Sequence, residues 1–398
     1  MLVWMRRHAG GSFHRGYSSK TQKVNEVKPA GEFVENFLHG SKAVGIVGLP
    51  NIGKSTLFNA LTRSQLAETM NRPFTTITPN IAKVPAIDAR AEKLEKITRL
   101  PVKPFNVEFV DIAGLVAGAS KGLGLGNQFL SNIRGVSMIA HVVRFFDDDS
   151  ITHVEQSVDP LRDVRIIHAE LILSDLATLE KACKNRKVEP GAKALLEQAM
   201  KFLETENLIA QFPVNLEQLK VLRQYDLLTL KPQLYVFNVP ETHFNDPEPV
   251  TMQRIEAFKT QYVDCPHIIL ASKLEAELAL VRDSEEQAQL LAEYGLKEPC
   301  MQAFISASRK LLLQQTFFTL GLRGNPDIPN YMWPLPKYST AVDAAGVVHS
   351  DLAKKFIRAQ VVHWGDLTSL ESFDATAKIE GRDYVVKDGD ILYFRVMK

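Results

Sequence analysis

The sequence predicts an α/β fold: a mostly parallel sheet with helices on both faces, interrupted by a helical insertion and followed by a strand-rich C-terminal domain. Three observations support this prediction. A buried strand at Ala43–Val47 runs through a glycine-containing loop into a segment with helical spacing. Residues 161–230 carry apolar side chains at helical intervals. From about Leu313 the chain turns to short segments rich in β-branched and aromatic residues.

The length of 398 residues indicates two or three domains. The composition, with 45% hydrophobic and 23% charged residues, is that of a folded globular chain. The 47 basic and 46 acidic side chains nearly balance, which predicts no strong nonspecific binding of nucleic acid. The three cysteines are too far apart for a CxxC metal site. No apolar stretch reaches the roughly 18 residues that would predict a membrane span.

The first 25 residues have the composition of a mitochondrial transit peptide, because they are basic and serine-bearing and contain no acidic residue. This composition predicts import into the mitochondrial matrix, with processing near Tyr17 and Ser18. The alternative is a disordered basic tail on a cytoplasmic protein. The basic residues are Arg6, Arg7, Arg15, Lys20 and Lys23.

Residues 48–55 read Gly-x-x-x-x-Gly-Lys-Ser between a strand and a helix, which is the pattern of a phosphate-binding loop. Gly48 and Gly53 allow the loop to turn its N–H groups toward a polyphosphate, and the following helix presents its positive end. Lys54 is expected to reach the terminal phosphates, and Ser55 to supply a hydroxyl for Mg²⁺. The predicted contacts of this loop are Asn51, Ile52, Gly53, Lys54, Ser55 and Thr56.

Two further segments occur in the order that a nucleotide-switch protein requires. The strand at 105–111 ends in Asp111, which is expected to hold a Mg²⁺ water, and Gly114 completes a D-x-x-G motif that can donate its N–H to the γ-phosphate. Between the two motifs lies a threonine-rich segment, 73–79, whose Thr76 is predicted to join Ser55 in the Mg²⁺ shell. The predicted switch residues are therefore Thr76, Asp111 and Gly114.

Several motifs closely resemble the Obg-like ATPase (YchF) family. They read GLPNIGKST at 48–56, DIAGLV at 111–116, GASKG at 118–122, DDD at 147–149 and GRDYVVKDGD at 381–390. The resemblance covers about residues 42–398. It implies an OBG-type G domain at 42–312, with the helical insertion at about 161–230, and a C-terminal TGS domain, a ubiquitin-like β-grasp module, at 313–398. The insertion reads as a helical hairpin broken at Pro190-Gly191, serving either to stabilise the domain or to dock a partner.

The base-recognition segment departs from the Asn-Lys-x-Asp motif of GTP-specific proteins, because residues 238–241 read Asn-Val-Pro-Glu. The lysine is absent and the acid is one methylene longer, so the carboxylate that reads guanine should be misplaced. The resemblance implies ATP, with the Val239 backbone contacting adenine. Asn238, Val239 and Glu241 are the predicted base-side contacts, and Lys273 would lie in the other base-side loop. The alternative is a true GTPase.

An apolar residue, Leu115, follows the D-x-x-G motif where many GTPases place a water-orienting glutamine. Slow intrinsic turnover is therefore expected, and no catalytic base is assigned. His141, Arg144 and His153 are close in sequence, but structural roles are preferred for all three. Asn51 occupies the position where potassium-dependent relatives coordinate K⁺, so K⁺ is a candidate cofactor beside Mg²⁺. The alternative role of Asn51 is to shape the turn.

The sequence therefore predicts a protein that binds ATP and ADP, hydrolyses ATP slowly and signals nucleotide state through its switch segments. The family resemblance suggests the mitochondrial ribosome or translation factors as partners. The C-terminal domain carries ten basic and ten acidic residues from 316 onward, so its net charge does not favour RNA binding. The alternative is a nucleotide-gated scaffold in which hydrolysis is not the functional step.

Overall fold

A computed structural model describes residues 27–30, 43–63, 80–112, 124–321, 329–369 and 372–397. Over these residues the predicted α/β fold is confirmed, with two six-stranded sheets and a helical arm. The strands are β1 (Lys28–Pro29), β2 (Ala43–Val47), β3 (Asn80–Pro85), β4 (Val102–Lys103), β5 (Asn106–Asp111), β6 (Met138–Arg144), β7 (Pro213–Val214), β8 (Gln233–Asn238), β9 (His267–Leu270), β10 (Gln314–Thr319), β11 (Asn330–Pro336), β12 (Phe356–His363), β13 (Lys378–Glu380) and β14 (Asp390–Val396).

The α-helices connect and cover these strands. They are α1 (Lys54–Arg63), α2 (Ala89–Thr98), α3 (Gly124–Arg134), α4 (Pro160–Cys183), α5 (Pro190–Glu204), α6 (Leu216–Arg223), α7 (Pro249–Gln261), α8 (Ser272–Leu278), α9 (Ser284–Glu293), α10 (Cys300–Leu311), α11 (Ala341–Val348), α12 (Ser350–Lys354) and α13 (Ser372–Thr376). Among the described helices, none is long and apolar enough to cross a membrane.

The first sheet has the strand order β3-β5-β2-β6-β8-β9, and every pairing is parallel except that of β3 with β5. All residues of β2 and β6 are buried, as expected for central strands covered by helices on both faces. The carboxyl ends of β2, β5, β6 and β8 consequently lie along one edge of the sheet. In open α/β sheets this edge is where ligands bind.

The helical arm is built from α4, α5 and α6 and has its own apolar core, which includes Leu179, Leu196 and Leu219. Asp159 caps α4 by accepting N–H bonds from the first turn. The predicted break at Pro190-Gly191 is misplaced by a few residues, because the chain leaves the helix after Cys183 and α5 begins at Pro190. Proline fits the first turn of a helix, because an N–H group at that position would have no acceptor within the helix.

The second sheet has the order β13-β12-β14-β10-β11-β4, and α11 packs on one of its faces. Its edge strand β4 comes from the N-terminal part of the chain and pairs in parallel with β11. Two side-chain contacts reinforce this junction. Arg90 on α2 makes a two-pronged ion pair with Asp388, with N–O distances of 2.8 and 3.1 Å, and Asn330 donates to the Thr98 hydroxyl at 2.7 Å. The C-terminal sheet is thus joined to the first domain by backbone pairing as well as by side chains.

Candidate nucleotide-binding site

A cavity of about 440 Å³ lies at the carboxyl edge of the first sheet. One side is formed by the loop between β2 and α1, and the other by the segments that follow β8 and β9. The predicted contacts in these segments meet around one space, except that Ile52 is not among the lining residues. The lining residues are Asn51, Gly53, Lys54, Ser55, Thr56, Phe146, Asp147, Asp148, Ile151, Asn238, Val239, Pro240, Glu241, Ser272 and Lys273.

The loop conformation requires glycine at both predicted positions. Gly48 and Gly53 have φ angles of +152° and +94°, in the region that L-residues with side chains rarely adopt. A side chain at 53 would also collide with the amide nitrogen of Asn238, and one at 48 would meet Ile52. Asn51 has φ of +59°, a left-handed conformation that asparagine tolerates better than most residues.

Lys54 begins α1 and is almost fully buried, with 7% of its surface exposed. Its ammonium group donates to the Leu49 carbonyl at 2.7 Å, inside the loop. Burial lowers the pKa of Lys54 to about 8, although the nearby Asp111 carboxylate acts in the opposite direction. Burial likewise raises the pKa of Asp111, and Lys54 opposes that shift. The site therefore holds one buried cation beside one strand-terminal carboxylate.

Asn238, at the end of β8, joins the two sides of the cavity. Its side-chain amide donates to the Ile52 carbonyl at 2.8 Å and accepts the Ser272 N–H at 2.9 Å. Asn238 is buried, and its amide is therefore committed to two backbone groups of neighbouring loops. The role of Asn238 as a base-side contact stays a prediction. Its observed hydrogen bonds hold the phosphate loop and the loop after β9 together.

The remaining predicted base-side residues, Val239 and Glu241, follow directly in the chain. The Val239 N–H donates to the Leu270 carbonyl at 3.0 Å, and the Val239 carbonyl accepts no hydrogen bond from the described residues. Glu241 forms an ion pair with Lys273, in which the ammonium nitrogen and a carboxylate oxygen are 2.8 Å apart. On the base side, the Val239 carbonyl thus has no donor among the described residues, and the charge of the Glu241 carboxylate is compensated by Lys273.

Arg144, at the end of β6, organises the loop that borders both sides of the cavity. Its guanidinium is buried, and its nitrogens lie 3.0–3.3 Å from four backbone carbonyl oxygens, those of Asn51, Phe146, Asp148 and Ile151. Asn51 adds a second tie, because its side-chain amide donates to the Thr152 carbonyl at 3.0 Å. Arg144 therefore positions residues 146–152 against the phosphate loop, a structural role of the kind preferred from the sequence.

The two histidines considered beside Arg144 are buried and, among the described residues, neither lines the cavity. His153 makes a hydrogen bond of 2.8 Å with Asp163 at the start of α4. Burial lowers the pKa of His141 well below its usual value, so His141 is neutral at physiological pH. His153 is therefore held by a buried hydrogen bond, and His141 packs against the rings of His168 and Tyr235, so both have structural roles.

Sequence reasoning missed the cavity-lining residues Phe146, Asp147, Asp148 and Ile151, although the DDD motif was visible. The available signal was their position directly after β6, since loops that follow neighbouring parallel strands meet at one edge of a sheet. Thr76, Gly114, Leu115 and residues 1–25 lie outside the described residues. Ser55 lines the cavity, whereas Asp111, which interacts electrostatically with Lys54, is not among the lining residues. Hydroxyl and carboxylate oxygens are the donors that Mg²⁺ prefers, so these residue types fit a Mg²⁺ ion.

Comparison with known proteins agrees with this geometry. The family described as "50S ribosome-binding GTPase" matches residues 43–174. The YchF-GTPase C-terminal family, described as "Protein of unknown function", matches residues 314–397. The Ribosome-binding ATPase YchF of Escherichia coli O157:H7 is 41% identical over 365 residues, which cover 88% of this chain and 98% of that protein. The protein of the same name from Bacillus subtilis is 40% identical over 369 residues, with the same coverage.

Two solved structures are also similar. The Schizosaccharomyces pombe YchF GTPase has a TM-score of 0.77 and 30% sequence identity, covering 90% of this chain and 98% of that one. A GTP binding protein from Pyrococcus horikoshii has a TM-score of 0.57 at 17% identity, covering 89% of this chain and 100% of that one, and shows the shared fold alone.

The glycine-rich loop between β2 and α1, its buried lysine and the cavity at the carboxyl edge of the sheet define a P-loop NTPase. The sequence identity over nearly the whole length of its relatives places the chain in a narrower group. This chain belongs to the YchF family.

Proposed function

We propose that the protein binds ATP with Mg²⁺ in this cavity and hydrolyses it slowly. The observation that carries the proposal is the single cavity shared by the phosphate loop and the base-side segments. Relatives named Ribosome-binding ATPase YchF support an ATPase activity, whereas the similar protein from Schizosaccharomyces pombe is named a GTPase. The identity of the base is therefore argued from the residues of this chain.

The preference for ATP rests on what Val239 and Glu241 can offer a purine. Because the Val239 N–H is already bonded to Leu270, only its carbonyl acceptor is left. A carbonyl complements the amino group of adenine and repels the O6 oxygen of guanine. Glu241 is paired with Lys273, so it is poorly placed to accept two N–H groups from guanine. Both features favour adenine.

Equilibrium titration with ATP and GTP tests this proposal. We expect ATP to bind at least about tenfold more tightly, equivalent to ~1.4 kcal/mol. Tighter binding of GTP would make the protein a GTPase. Absence of binding by either nucleotide would remove the proposed function altogether.

Mg²⁺ would be held by Ser55, by Thr76 as the sequence predicts, and through water by Asp111; when bound, it neutralises charge on the β- and γ-phosphates. Lys54 would exchange its Leu49 contact for the terminal phosphates. Turnover is expected to be slow because Leu115 cannot orient the attacking water. No catalytic base is assigned.

K⁺ is a further proposed cofactor. Asn51 uses its amide nitrogen on Thr152, and its amide oxygen accepts no hydrogen bond from the described residues, so that oxygen is available to a monovalent cation. A cation there would stabilise charge that develops between the β- and γ-phosphates, as an arginine finger does. We expect faster ATP hydrolysis in K⁺ than in Na⁺ buffer. Equal rates would assign Asn51 to shaping the turn.

The proposed partner is the ribosome, as the names of the relatives suggest. The basic leader at 1–25 makes this the mitochondrial ribosome or its factors, whereas a protein retained in the cytoplasm would meet the cytoplasmic ones. Cell fractionation locates the protein. Sedimentation of the organelle extract with a slowly hydrolysed ATP analogue or with ADP tests the partner. Identical behaviour in the soluble fraction with both nucleotides would contradict the ribosome link and leave ATP binding intact.

A further inference from the structure

The ion pair between Glu241 and Lys273 lies at the base side of the cavity, and both residues line it. The Glu241 side chain follows β8 and is mostly buried, with 20% exposure. The Lys273 side chain stands in the first turn of α8, after β9, and is 74% exposed. The pair therefore bridges two loops at the rim of the cavity, with the acid inside and the base outside.

Two other polar groups on this side are already engaged, whereas the Ser272 hydroxyl and the Val239 carbonyl have no hydrogen-bond partner among the described residues. The Asn238 amide is bonded to Ile52 and Ser272, and the Val239 N–H to Leu270. Among the described lining residues that follow β8 and β9, Glu241 is the one that carries a carboxylate. Whether this carboxylate is available to a ligand depends on Lys273, which holds one of its oxygens.

The longer glutamate does not reproduce the position of the aspartate in GTP-specific proteins, but a free carboxylate on this side of the cavity still has two acceptor oxygens of the kind that pair with N1–H and N2–H of guanine. Adenine has an acceptor at N1 and no 2-amino group, so at this edge it offers no N–H donor to either carboxylate oxygen. An ammonium group that occupies one oxygen and compensates the charge therefore penalises GTP more than ATP.

We propose that Lys273 is a specificity-determining residue: by pairing with Glu241 it withholds the carboxylate from guanine and sharpens the preference for ATP. This inference rests on the proposed nucleotide-binding function. It assigns to Lys273 a role that acts through Glu241 and needs no direct contact with the nucleotide.

The size of the effect follows from the exposure of the pair. Exposed ion pairs contribute little because solvent screens them, so we expect the ratio of the GTP Kd to the ATP Kd to fall by about threefold in Lys273→Met. Ionic strength provides an independent test of the ion pair. Raising it from about 0.05 M to about 0.5 M should lower the ratio of the GTP Kd to the ATP Kd in the unaltered protein and leave that ratio constant in Lys273→Met. Because both nucleotides carry the same phosphates, their common salt dependence cancels in the ratio.

The experiment is equilibrium titration of ATP and GTP on the full chain in four forms: unaltered, Lys273→Met, Glu241→Gln and the double variant. If Lys273 acts through Glu241, its replacement changes the ratio only while the carboxylate is present, and the double variant matches Glu241→Gln. Lys220→Met is the matched control. Its ion pair with Glu217 has the same 2.8 Å separation but lies on α6, away from the cavity.

Each outcome has a defined meaning. A ratio that falls in Lys273→Met but not in Lys220→Met or in the Glu241→Gln background supports the proposal. An unchanged ratio overturns it, as does a Lys273→Met effect that persists without the carboxylate. If the unaltered protein binds neither nucleotide, the proposed function itself fails, which distinguishes the two failures.

Discussion

The two sides of the cavity are built in different ways. The phosphate side is one continuous loop, residues 48–56, whose cation is buried and whose shape depends on two glycines. The base side is assembled from two separate loops, and its charged pair lies near the surface. A buried, contiguous site should carry most of the binding energy, whereas an exposed pair can adjust only the choice of base.

Asn238 is the element that the two sides share, and its replacement is expected to produce the largest effect. Asn238→Ala removes two buried hydrogen bonds and leaves the Ile52 carbonyl and the Ser272 N–H without partners. We expect a loss of about 2–4 kcal/mol in the free energy of unfolding, measured by urea denaturation.

Asn245→Ala is the matched control for this prediction, because that asparagine donates one hydrogen bond, to the Glu293 carbonyl, at an exposed position. It should cost less than about 1 kcal/mol. Similar losses for the two variants would mean that the bridge between the two sides contributes no more than a surface contact.

The Lys54→Ala substitution tests the contribution of the phosphate side alone. A charge-assisted hydrogen bond to phosphate is lost, so we expect affinity for ATP and GTP to fall by about fiftyfold each, or ~2.3 kcal/mol. The ratio of the two affinities should not change, because the phosphates are identical. Titration calorimetry measures both values, and thermal unfolding checks that the variant is folded. A changed ratio would contradict the separation of roles, and unchanged ATP affinity would refute the phosphate-loop assignment.

The pH dependence of ATP binding tests the same side without mutation. The pKa of Lys54 in the free protein is about 8, and bound phosphate raises it because an anion favours the charged form. Binding therefore takes up a proton above pH 8 and weakens as pH rises. Between about pH 7 and pH 9 we expect the ATP Kd to increase about tenfold.

The GTP Kd is the matched control. It should depend on pH in the same way as the ATP Kd, so the ratio of the two dissociation constants should stay constant. Calorimetry in buffers of different ionisation enthalpy would register the proton uptake at pH 9. A flat profile would mean that the bound phosphates are not paired with Lys54. The smallest effect in this comparison is the threefold change expected at Lys273.

The sequence by itself determined the features that short segments encode. The phosphate loop could be predicted because Gly48, Gly53 and Lys54 lie within eight residues, and the positive φ angles of the two glycines are a local property of the backbone. The buried strand β2 could be predicted from its run of apolar residues, and the helical arm from its hydrophobic periodicity. Each of these features is encoded by residues that are close together in the sequence.

The tertiary structure alone decided how distant segments meet. No local pattern marks β4, which is two residues long and becomes a strand only because β11 lies beside it. The sequence favoured a structural role for Arg144, but only the tertiary structure shows which four backbone carbonyls it contacts. The sequence placed Lys273 in the second base-side loop but did not pair it with Glu241, and this ion pair forms because β8 and β9 are adjacent in the sheet. Contacts between separate loops depend on strand order, which a short stretch of sequence does not encode.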